Sequence, residues 1–305
     1  MAEIREIASG LQFPEGPIAM PDGSVILVEI KRGTVSRVTA NGKVQVVAET
    51  GGGPNGAAFG PDGKLYVCND GGFEWHEMNG MTVPGHQPAD YSGGRIERVD
   101  VDSGKVEVLY TKCDGHPLRG PNDIVFDSSG GFWFTDHGKV RERDRDRTGV
   151  YYAKPDGSLI REAIYPIDSP NGLGLSPDGK TLYVAETWTA RIWAWDLSGP
   201  GQIKAGAELF TPAGGRLLTG LPGFQLLDSM AVDSAGNVCV ATIINGGVTV
   251  VSPDGSKVSH VPMPDPLTTN VCFGGPDLTT AYVTLSGIGK LVSTKWPRPG
   301  LKLNF

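Results

Sequence analysis

The sequence predicts an all-β protein built as a six-bladed β-propeller with four-stranded blades. Two observations carry this prediction: an unusual abundance of glycine and a hairpin-like unit that occurs six times. Glycine accounts for 44 of the 305 residues, about twice its usual share of roughly 7%, which indicates many turns and disfavours a helical fold. Units of about 40–50 residues with four strands each are typical of propeller blades. Because no linker separates the units, residues 1–305 are predicted to form a single domain.

Each copy of the unit begins with a polar residue, continues through a short apolar stretch and a turn, and ends in a strand rich in β-branched and aromatic residues. These polar residues, called anchors below, are Glu15, Asn55, Asn122, Asn171, Asp228 and Asn270. Five copies have a glycine eight residues after the anchor, namely Gly23, Gly63, Gly130, Gly179 and Gly236, and the sixth has Leu278 there. Because glycine adopts the positive φ of tight turns, each copy is predicted to be a hairpin.

Further strand-like segments lie between the hairpins and bring each unit to about four strands. They are Thr34–Val38, Gly94–Val99, Val106–Tyr110, Thr148–Tyr152, Ile192–Asp196 and Gly247–Val251. Successive anchors are 40, 67, 49, 57 and 42 residues apart, so six anchors predict six blades. The N-terminal segment, residues 3–8, has no blade of its own. We expect it to pair with the last blade and close the ring.

The longer anchor spacings indicate two insertions. The first runs from Phe73 to Gly94, after the second strand of blade two, and contains Trp75, His76, His86 and Tyr91. A loop of this length in a compact domain is usually functional or disordered, and its aromatic residues favour an ordered lid. The second insertion, residues 138–149, is highly charged and is expected to be a solvated loop.

Three acidic residues end the strands that are paired with the anchor strands. They are expected to be solvated turn residues, and a place at the edge of the pocket is the alternative. They are Asp70, Asp136 and Glu186.

Charge and composition exclude several classes of function. The net charge is −7 with no basic cluster, so nucleic acid is not an expected partner. No apolar run approaches the roughly 18 residues of a membrane span, and the start, MAEIREIAS, has no secretory signal pattern. Four cysteines without a CxxC motif indicate reduced thiols. The sequence therefore predicts a cytoplasmic protein that acts on a small molecule; no feature bears on its oligomeric state.

The anchors predict a metal site. The innermost strands of a propeller line its central channel, so the six anchors should meet in a ring that contains two carboxylates and four amides. Oxygen ligands of this kind suit a hard cation, with calcium favoured, although Mg, Mn, Fe and Zn also accept them. Two buried carboxylates without a counter-ion would be costly. For Asn55 and Asn270, an Asx-turn that begins the strand remains an alternative.

The sequence resembles the gluconolactonase/regucalcin family, also called the senescence marker protein family, over nearly its whole length. The matching stretches are PEGP from Pro14, PNDIVFDSSGGFWFTD from Pro121, SPNGLGLSPDGKTLYVAET from Ser169, DSMAVDSAGNVCVA from Asp228, TTNVCFGG from Thr268 and WPRPGLKLNF from Trp296. PNDIVF and FWFTD are more similar to the bacterial sugar-lactonase branch than to the animal one. The resemblance implies a metal-dependent six-bladed propeller that hydrolyses lactones.

The resemblance also implies roles for single residues. The metal ligands of the family match Glu15, Asn171 and Asp228, and a further channel residue that contacts metal or substrate matches Asn122. Arg119 lies near the place of a substrate-binding arginine of some members. The family usually has Asp-Gly at the last ligand, where this chain has Asp228 followed by serine. We expect this departure to affect the local backbone or a substrate contact.

The implied reaction opens a sugar lactone to the sugar acid. A divalent cation can polarise the lactone carbonyl and lower the pKa of water, with Asp228 as general base and Glu15 as the other catalytic carboxylate. Further substrate contacts are expected from the residues around the channel mouth and from the first insertion. They are Asn122, Arg119, Asn55, Trp75 and His76.

Two alternative functions remain open from the sequence. The same metal propeller could hydrolyse phosphorus esters, as related diisopropylfluorophosphatase-type enzymes do. A non-catalytic propeller could bind a metal or a protein partner, and it would present an open face without a shaped pocket. The long aromatic insertion favours a covered face.

Overall fold

The computed structural model describes residues 3–204, 206 and 208–305. This part of the chain forms six small antiparallel sheets that surround a channel, which confirms the predicted six-bladed β-propeller. After β1 (Ile4–Ser9), blade one contains β2 (Pro14–Ala19), β3 (Val25–Glu29), β4 (Thr34–Val38) and β5 (Val44–Glu49). Blade two contains β6 (Pro54–Phe59), β7 (Leu65–Asn69), β10 (Arg95–Val99) and β11 (Val106–Tyr110), and its insertion adds the hairpin β8 (Trp75–Met78) and β9 (Met81–Pro84).

The remaining blades follow the same order from the channel outward. After the short pair β12 (Lys112–Cys113) and β13 (His116–Pro117), blade three contains β14 (Pro121–Phe126), β15 (Phe132–Asp136), β16 (Thr148–Ala153) and β17 (Ile160–Ile167). Blade four contains β18 (Pro170–Leu175), β19 (Thr181–Glu186), β20 (Arg191–Gly199), β21 (Gln202–Ile203), a 3-10 turn (Pro212–Gly214) and β22 (Arg216–Gly220). Blade five contains β23 (Leu226–Val232), β24 (Val238–Ile243), β25 (Gly247–Val251) and β26 (Val258–Pro262), and blade six β27 (Thr268–Gly274), β28 (Thr280–Leu285) and β29 (Lys290–Lys295).

The N-terminal strand closes the ring, as predicted. β1 lies antiparallel to β29, with Ile4 opposite Thr294 and Ser9 opposite Lys290. Blade four departs from the four-strand pattern, because its third strand β20 pairs with both the short β21 and β22. No helix in the described ranges is long and apolar enough to span a membrane.

Glycine residues allow the inner strands to approach one another closely. A Cβ atom at Gly16 would lie 2.8 Å from the carbonyl oxygen of Asn55, and one at Gly172 would lie 2.6 Å from that of Asp228. Both glycines directly follow an anchor, so the anchors of neighbouring blades are held next to each other. The face where the inner strands begin is called the anchor face below, and the opposite face, which carries the first hairpin turns, the turn face.

Candidate metal centre and substrate pocket

The six anchors lie buried in one ring at the anchor face, each less than a tenth exposed. Asn270 donates a hydrogen bond from Nδ2 to Glu15 Oε2 at 2.7 Å, which joins blades six and one. The Thr135 hydroxyl accepts a hydrogen bond from the Asp123 amide at 3.0 Å and donates to the Asn171 carbonyl at 2.7 Å. This bridge joins blades three and four. The predicted convergence of the anchors is therefore present in the fold.

Three anchor oxygen atoms are buried without a hydrogen-bond partner among the described residues: Glu15 Oε1, Asn122 Oδ1 and Asn171 Oδ1. Buried polar atoms are nearly always partnered, and an unpartnered one costs about 1–3 kcal/mol. Carboxylate and amide oxygens are ligands that hard cations accept. The described residues contain no group of three or more His, Cys, Asp or Glu side chains placed to hold a metal, so here amides would complete the donor set with Glu15 and Asp228.

Burial also makes the two anchor carboxylates difficult to ionise. It raises the pKa of Glu15 to about 7, against the hydrogen bonds from Asn270 and the Gly16 amide. Burial and the nearby Glu15 charge raise the pKa of Asp228 well above its usual value, and the Asn171 amide offsets a part of this. A divalent cation would lower the cost of ionising Glu15 and Asp228, because it favours the charged form of each carboxylate.

Asp123 is a third buried carboxylate at the ring, and sequence reasoning missed it. Its Oδ1 accepts the Ile124 amide at 2.9 Å, and its Oδ2 accepts the Leu173 amide of the neighbouring inner strand at 3.3 Å. Burial raises its pKa to about 7. The available signal was an aspartate directly after an anchor, where blades one, two and four have glycine.

A second ring of residues lies directly above the anchors. In four blades the backbone amide of one such residue donates to the carbonyl two positions before the anchor. In blade six the Ser286 amide donates to the Leu267 carbonyl, three positions before Asn270, and in blade five Ile243 is paired with Leu226. This upper ring consists of Ile30, Asp70, His137, Thr187, Ile243 and Ser286. Its members follow the anchors by 15 or 16 residues, an offset that the sequence carries but that sequence reasoning did not use.

The upper-ring residues beside amide anchors differ in type from those beside carboxylate anchors. Asp70 accepts a hydrogen bond from the Asn55 amide at 3.2 Å, and Thr187 accepts one from the Asn171 amide at 3.2 Å. The two carboxylate anchors, Glu15 and Asp228, instead have isoleucine at this position of their blades. Polar upper-ring side chains therefore hold two of the four amide anchors, Asn55 and Asn171, whereas both carboxylate anchors have an apolar neighbour.

The expectation that Asp70, Asp136 and Glu186 are solvated turn residues is wrong: the three are only 2%, 1% and 3% exposed. Asp136 accepts the backbone amides of Arg119 and Gly120 at 2.7 Å and of Gly138 at 2.9 Å. The loops that enter the inner strands bury such amides away from water, and buried donors need acceptors. These carboxylates supply them.

The first insertion is ordered and extends across the anchor face, as predicted. Its hairpin β8–β9 contacts blade one through Glu77 and Lys31 at 2.7 Å and blade six through the Thr82 amide and the Gly287 carbonyl at 2.9 Å. The Gln87 amide donates to a blade-three carbonyl at 2.9 Å. The insertion therefore covers one side of the channel mouth, over blades six, one, two and three.

The second insertion is a solvated loop in its middle, where residues 142–145 are exposed, but the prediction is wrong for Lys139. This side chain is 1% exposed. Its Nζ lies 2.9 Å from Asp70 Oδ1, 2.7 Å from the Gly72 carbonyl oxygen and 3.8 Å from the Phe73 ring centroid. Lys139 thus connects the first insertion to Asp70 and, through it, to Asn55.

The other predicted substrate residues occupy different positions around the mouth. Trp75 packs against Phe13, with the two ring centroids 5.1 Å apart. Phe13 lies two residues before Glu15 in the sequence. His76 is exposed and faces the other side of β8, so the structure does not bring it to the ring. Arg119 is exposed on the loop before β14 and is held by its backbone, whose carbonyl accepts the Tyr91 hydroxyl at 2.5 Å.

The departure after Asp228 is a buried serine. Ser229 is fully buried, and its hydroxyl has no hydrogen-bond partner among the described residues. The small side chain therefore fits where blades one, two and four have glycine, at the cost of an unsatisfied hydroxyl.

Comparison with known proteins assigns the chain to a family. The profile of the SMP-30/Gluconolactonase/LRE-like region matches residues 13–287. The chain belongs to this family. A gluconolactonase from Zymomonas mobilis is 29% identical over 296 residues, which cover 89% of this chain and 76% of the relative. A lactonase drp35 from Staphylococcus saprophyticus is 31% identical over 257 residues, which cover 84% and 71%.

A solved structure of a gluconolactonase from Xanthomonas campestris has the same fold. It aligns with a TM-score of 0.76 at 24% identity, over 97% of this chain and 90% of that chain. This likeness agrees with the six-bladed propeller described above.

Proposed function

We propose that this protein is a metal-dependent hydrolase that opens a sugar lactone to the corresponding sugar acid. The observation that carries the proposal is the set of three unpartnered, buried anchor oxygens beside two carboxylates whose pKa is raised. Relatives at 29% and 31% identity carry the names gluconolactonase and lactonase drp35, which supports the lactone as substrate.

We assign the metal to Glu15, Asn171 and Asp228, with Asn122 as a further ligand, and we favour calcium among the divalent ions because all donors are oxygen. When bound, such a cation supplies Lewis-acid polarisation of the lactone carbonyl. Asp228 accepts a proton from the attacking water as general base. Glu15 is oriented for this site by Asn270 and the Gly16 amide.

The insertion over the channel mouth supports a substrate pocket rather than an open binding face. It crosses from blade two to blades one and six and is fixed to blade three by Lys139. Trp75 covers the blade-one side, and Arg119 extends from the blade-three side. These residues would exclude water from one side of the lactone and bind its polar substituents.

The proposal is tested by pH-stat hydrolysis of D-glucono-δ-lactone and other lactones after chelation and re-addition of Ca, Mg, Mn, Fe or Zn ions. We expect acid release that is lost on chelation and restored by a divalent ion. Phosphotriesters tested in parallel distinguish the alternative hydrolase: hydrolysis of phosphotriesters without lactone hydrolysis would refute the lactonase. Absence of metal-dependent turnover of either class would favour the non-catalytic propeller.

Two further expectations from the sequence stay proposals. Residues 1–305 are proposed to act as one domain, and the protein is proposed to work in the cytoplasm.

A further inference from the structure

Among the described residues, three of the four amide anchors donate a side-chain hydrogen bond to a protein atom, and the exception is Asn122 in blade three. The side-chain amide of Asn55 donates to Asp70, that of Asn171 to Thr187, and that of Asn270 to Glu15. The Nδ2 group of Asn122 donates to no protein atom among the described residues, and it is not among the fully buried, unpartnered atoms. The Asn122 amide N–H group is therefore open to the channel mouth, while its Oδ1 is buried in the ring.

His137 occupies the upper-ring position of the same blade. Its backbone amide donates to the Gly120 carbonyl at 2.9 Å, the same hydrogen bond that places Asp70 and Thr187 beside their anchors. Where those two residues bond to an anchor amide, the His137 ring makes one long contact, from Nδ1 to the Gly138 carbonyl at 3.4 Å. The side chain is half-buried. The shared backbone hydrogen bond gives His137 the same position relative to Asn122 that Asp70 has to Asn55 and Thr187 has to Asn171.

The tautomer follows from this contact. A carbonyl oxygen can only accept, so this contact favours the tautomer with the proton on Nδ1, in which Nε2 is an acceptor. Burial lowers the pKa of His137 to about 4, which agrees with a neutral ring at neutral pH. Blade three thus presents a free donor, Asn122 Nδ2, next to a free acceptor, His137 Nε2.

We propose that Asn122 and His137 together recognise a hydroxyl group on the lactone ring, which makes His137 a specificity-determining residue. The Asn122 amide donates to the hydroxyl oxygen, and His137 Nε2 accepts the hydroxyl hydrogen. A paired donor and acceptor match a hydroxyl group and leave two polar groups unsatisfied when the ring lacks one. This inference rests on the proposed lactonase function and adds to it a residue, His137, that selects lactones carrying this hydroxyl group.

The test compares D-glucono-δ-lactone with δ-valerolactone, which has the same ring without hydroxyl groups. We expect His137→Leu to lower kcat/KM for gluconolactone by about 10- to 100-fold, the value of one lost hydrogen bond in a pocket, and to leave valerolactone unchanged. His137→Gln, which retains an acceptor, should recover part of the loss. Thr187→Val is the matched control in blade four: it loosens Asn171 and should lower both rates equally.

A second measurement is independent of turnover. Diethyl pyrocarbonate modifies neutral imidazoles, and peptide mapping follows each histidine. We expect D-gluconate to slow modification of His137 and to leave that of His116, which is exposed, unchanged.

The possible results distinguish a failure of the role proposed for His137 from a failure of the proposed lactonase function. Equal losses on both lactones in His137→Leu, or modification of His137 unaffected by gluconate, would overturn the role of His137 alone. Hydrolysis of neither lactone by the unaltered protein would instead contradict the proposed function. Melting temperatures of the variants identify any loss that comes from misfolding, and His137→Gln decides the case if His137→Leu does not fold.

Discussion

The two faces of the propeller use the same acidic residue types in opposite ways. On the turn face, Asp22, Asp178 and Asp277 accept hydrogen bonds from residues two positions away, and these bonds lower the pKa of each. On the anchor face, burial raises the pKa of Glu15 and Asp228. The carboxylates of the turn face therefore stabilise the fold in their ionised form without a bound ion. Those of the anchor face are costly to ionise unless a cation is bound. Polar groups that a fold leaves unsatisfied are expected at functional sites.

The largest effect should come from Asp228→Asn, which keeps the shape and removes the proposed base. We expect kcat for lactone hydrolysis to fall by about 10²- to 10⁴-fold, the usual contribution of general base catalysis. Melting temperature should not fall, because the variant buries no charge. Asp254→Asn on the turn face is the matched control, since this exposed carboxylate caps a turn and should leave turnover unchanged. Full activity in Asp228→Asn would refute the assignment.

The second prediction concerns the ion pair that connects the anchor face to its lid. Lys139→Met leaves Asp70 buried without its cation, and breaking a buried pair costs about 3–5 kcal/mol. We expect lower stability in urea, faster cleavage of residues 73–94 by chymotrypsin, and a raised KM. Arg145→Met in the same loop is the control: its pair with Asp168 is exposed, so the loss should stay below about 1 kcal/mol.

A double variant, Lys139→Met with Asp70→Asn, distinguishes the cost of the unpaired Asp70 charge from the loss of the contact that holds the insertion. Adding Asp70→Asn removes the unpaired carboxylate and should restore most of the stability, but it should not restore the lid. Equal proteolysis of the lid in Lys139→Met and the unaltered protein would show that Lys139 does not hold the insertion in place.

The repeat explains why some of these features were predictable. The anchors and turn glycines share a fixed offset because each pair belongs to one hairpin, whose geometry is local. Lys139 and Asp70 are 69 residues apart, and Lys139 lies in an insertion that no other blade copies, so no periodicity connects them. The burial of Asp136 escaped prediction for a related reason: its partners are backbone amides, which leave no trace in side-chain patterns.

The third prediction concerns the pH dependence of the stability of the metal-free protein, which Glu15 on the anchor face should affect. Glu15 has a folded pKa of about 7 against 4.5 for the ordinary carboxyl. Between these values the folded state keeps a proton that the unfolded state has released, so stability falls as pH rises. After chelation, we expect the melting temperature to decrease from pH 5 to pH 8, and this decrease to be smaller in Glu15→Gln. The same decrease in the variant would contradict the origin assigned to it.

The smallest effect should come from the turn face, where backbone conformation alone can be varied. Gly179 has φ of 67° and Gly199 lies in the extended strand β20, and in both cases an added Cβ would meet no atom within 4 Å. Gly179→Ala should therefore lose roughly 1–2 kcal/mol, the cost of a left-handed conformation for an L-residue, while Gly199→Ala should lose none. Urea unfolding measures both. Lactone turnover should be unchanged in each variant, because neither residue touches the anchor ring. A fall in turnover for Gly179→Ala at unchanged stability would mean that a change on the turn face alters the site on the anchor face.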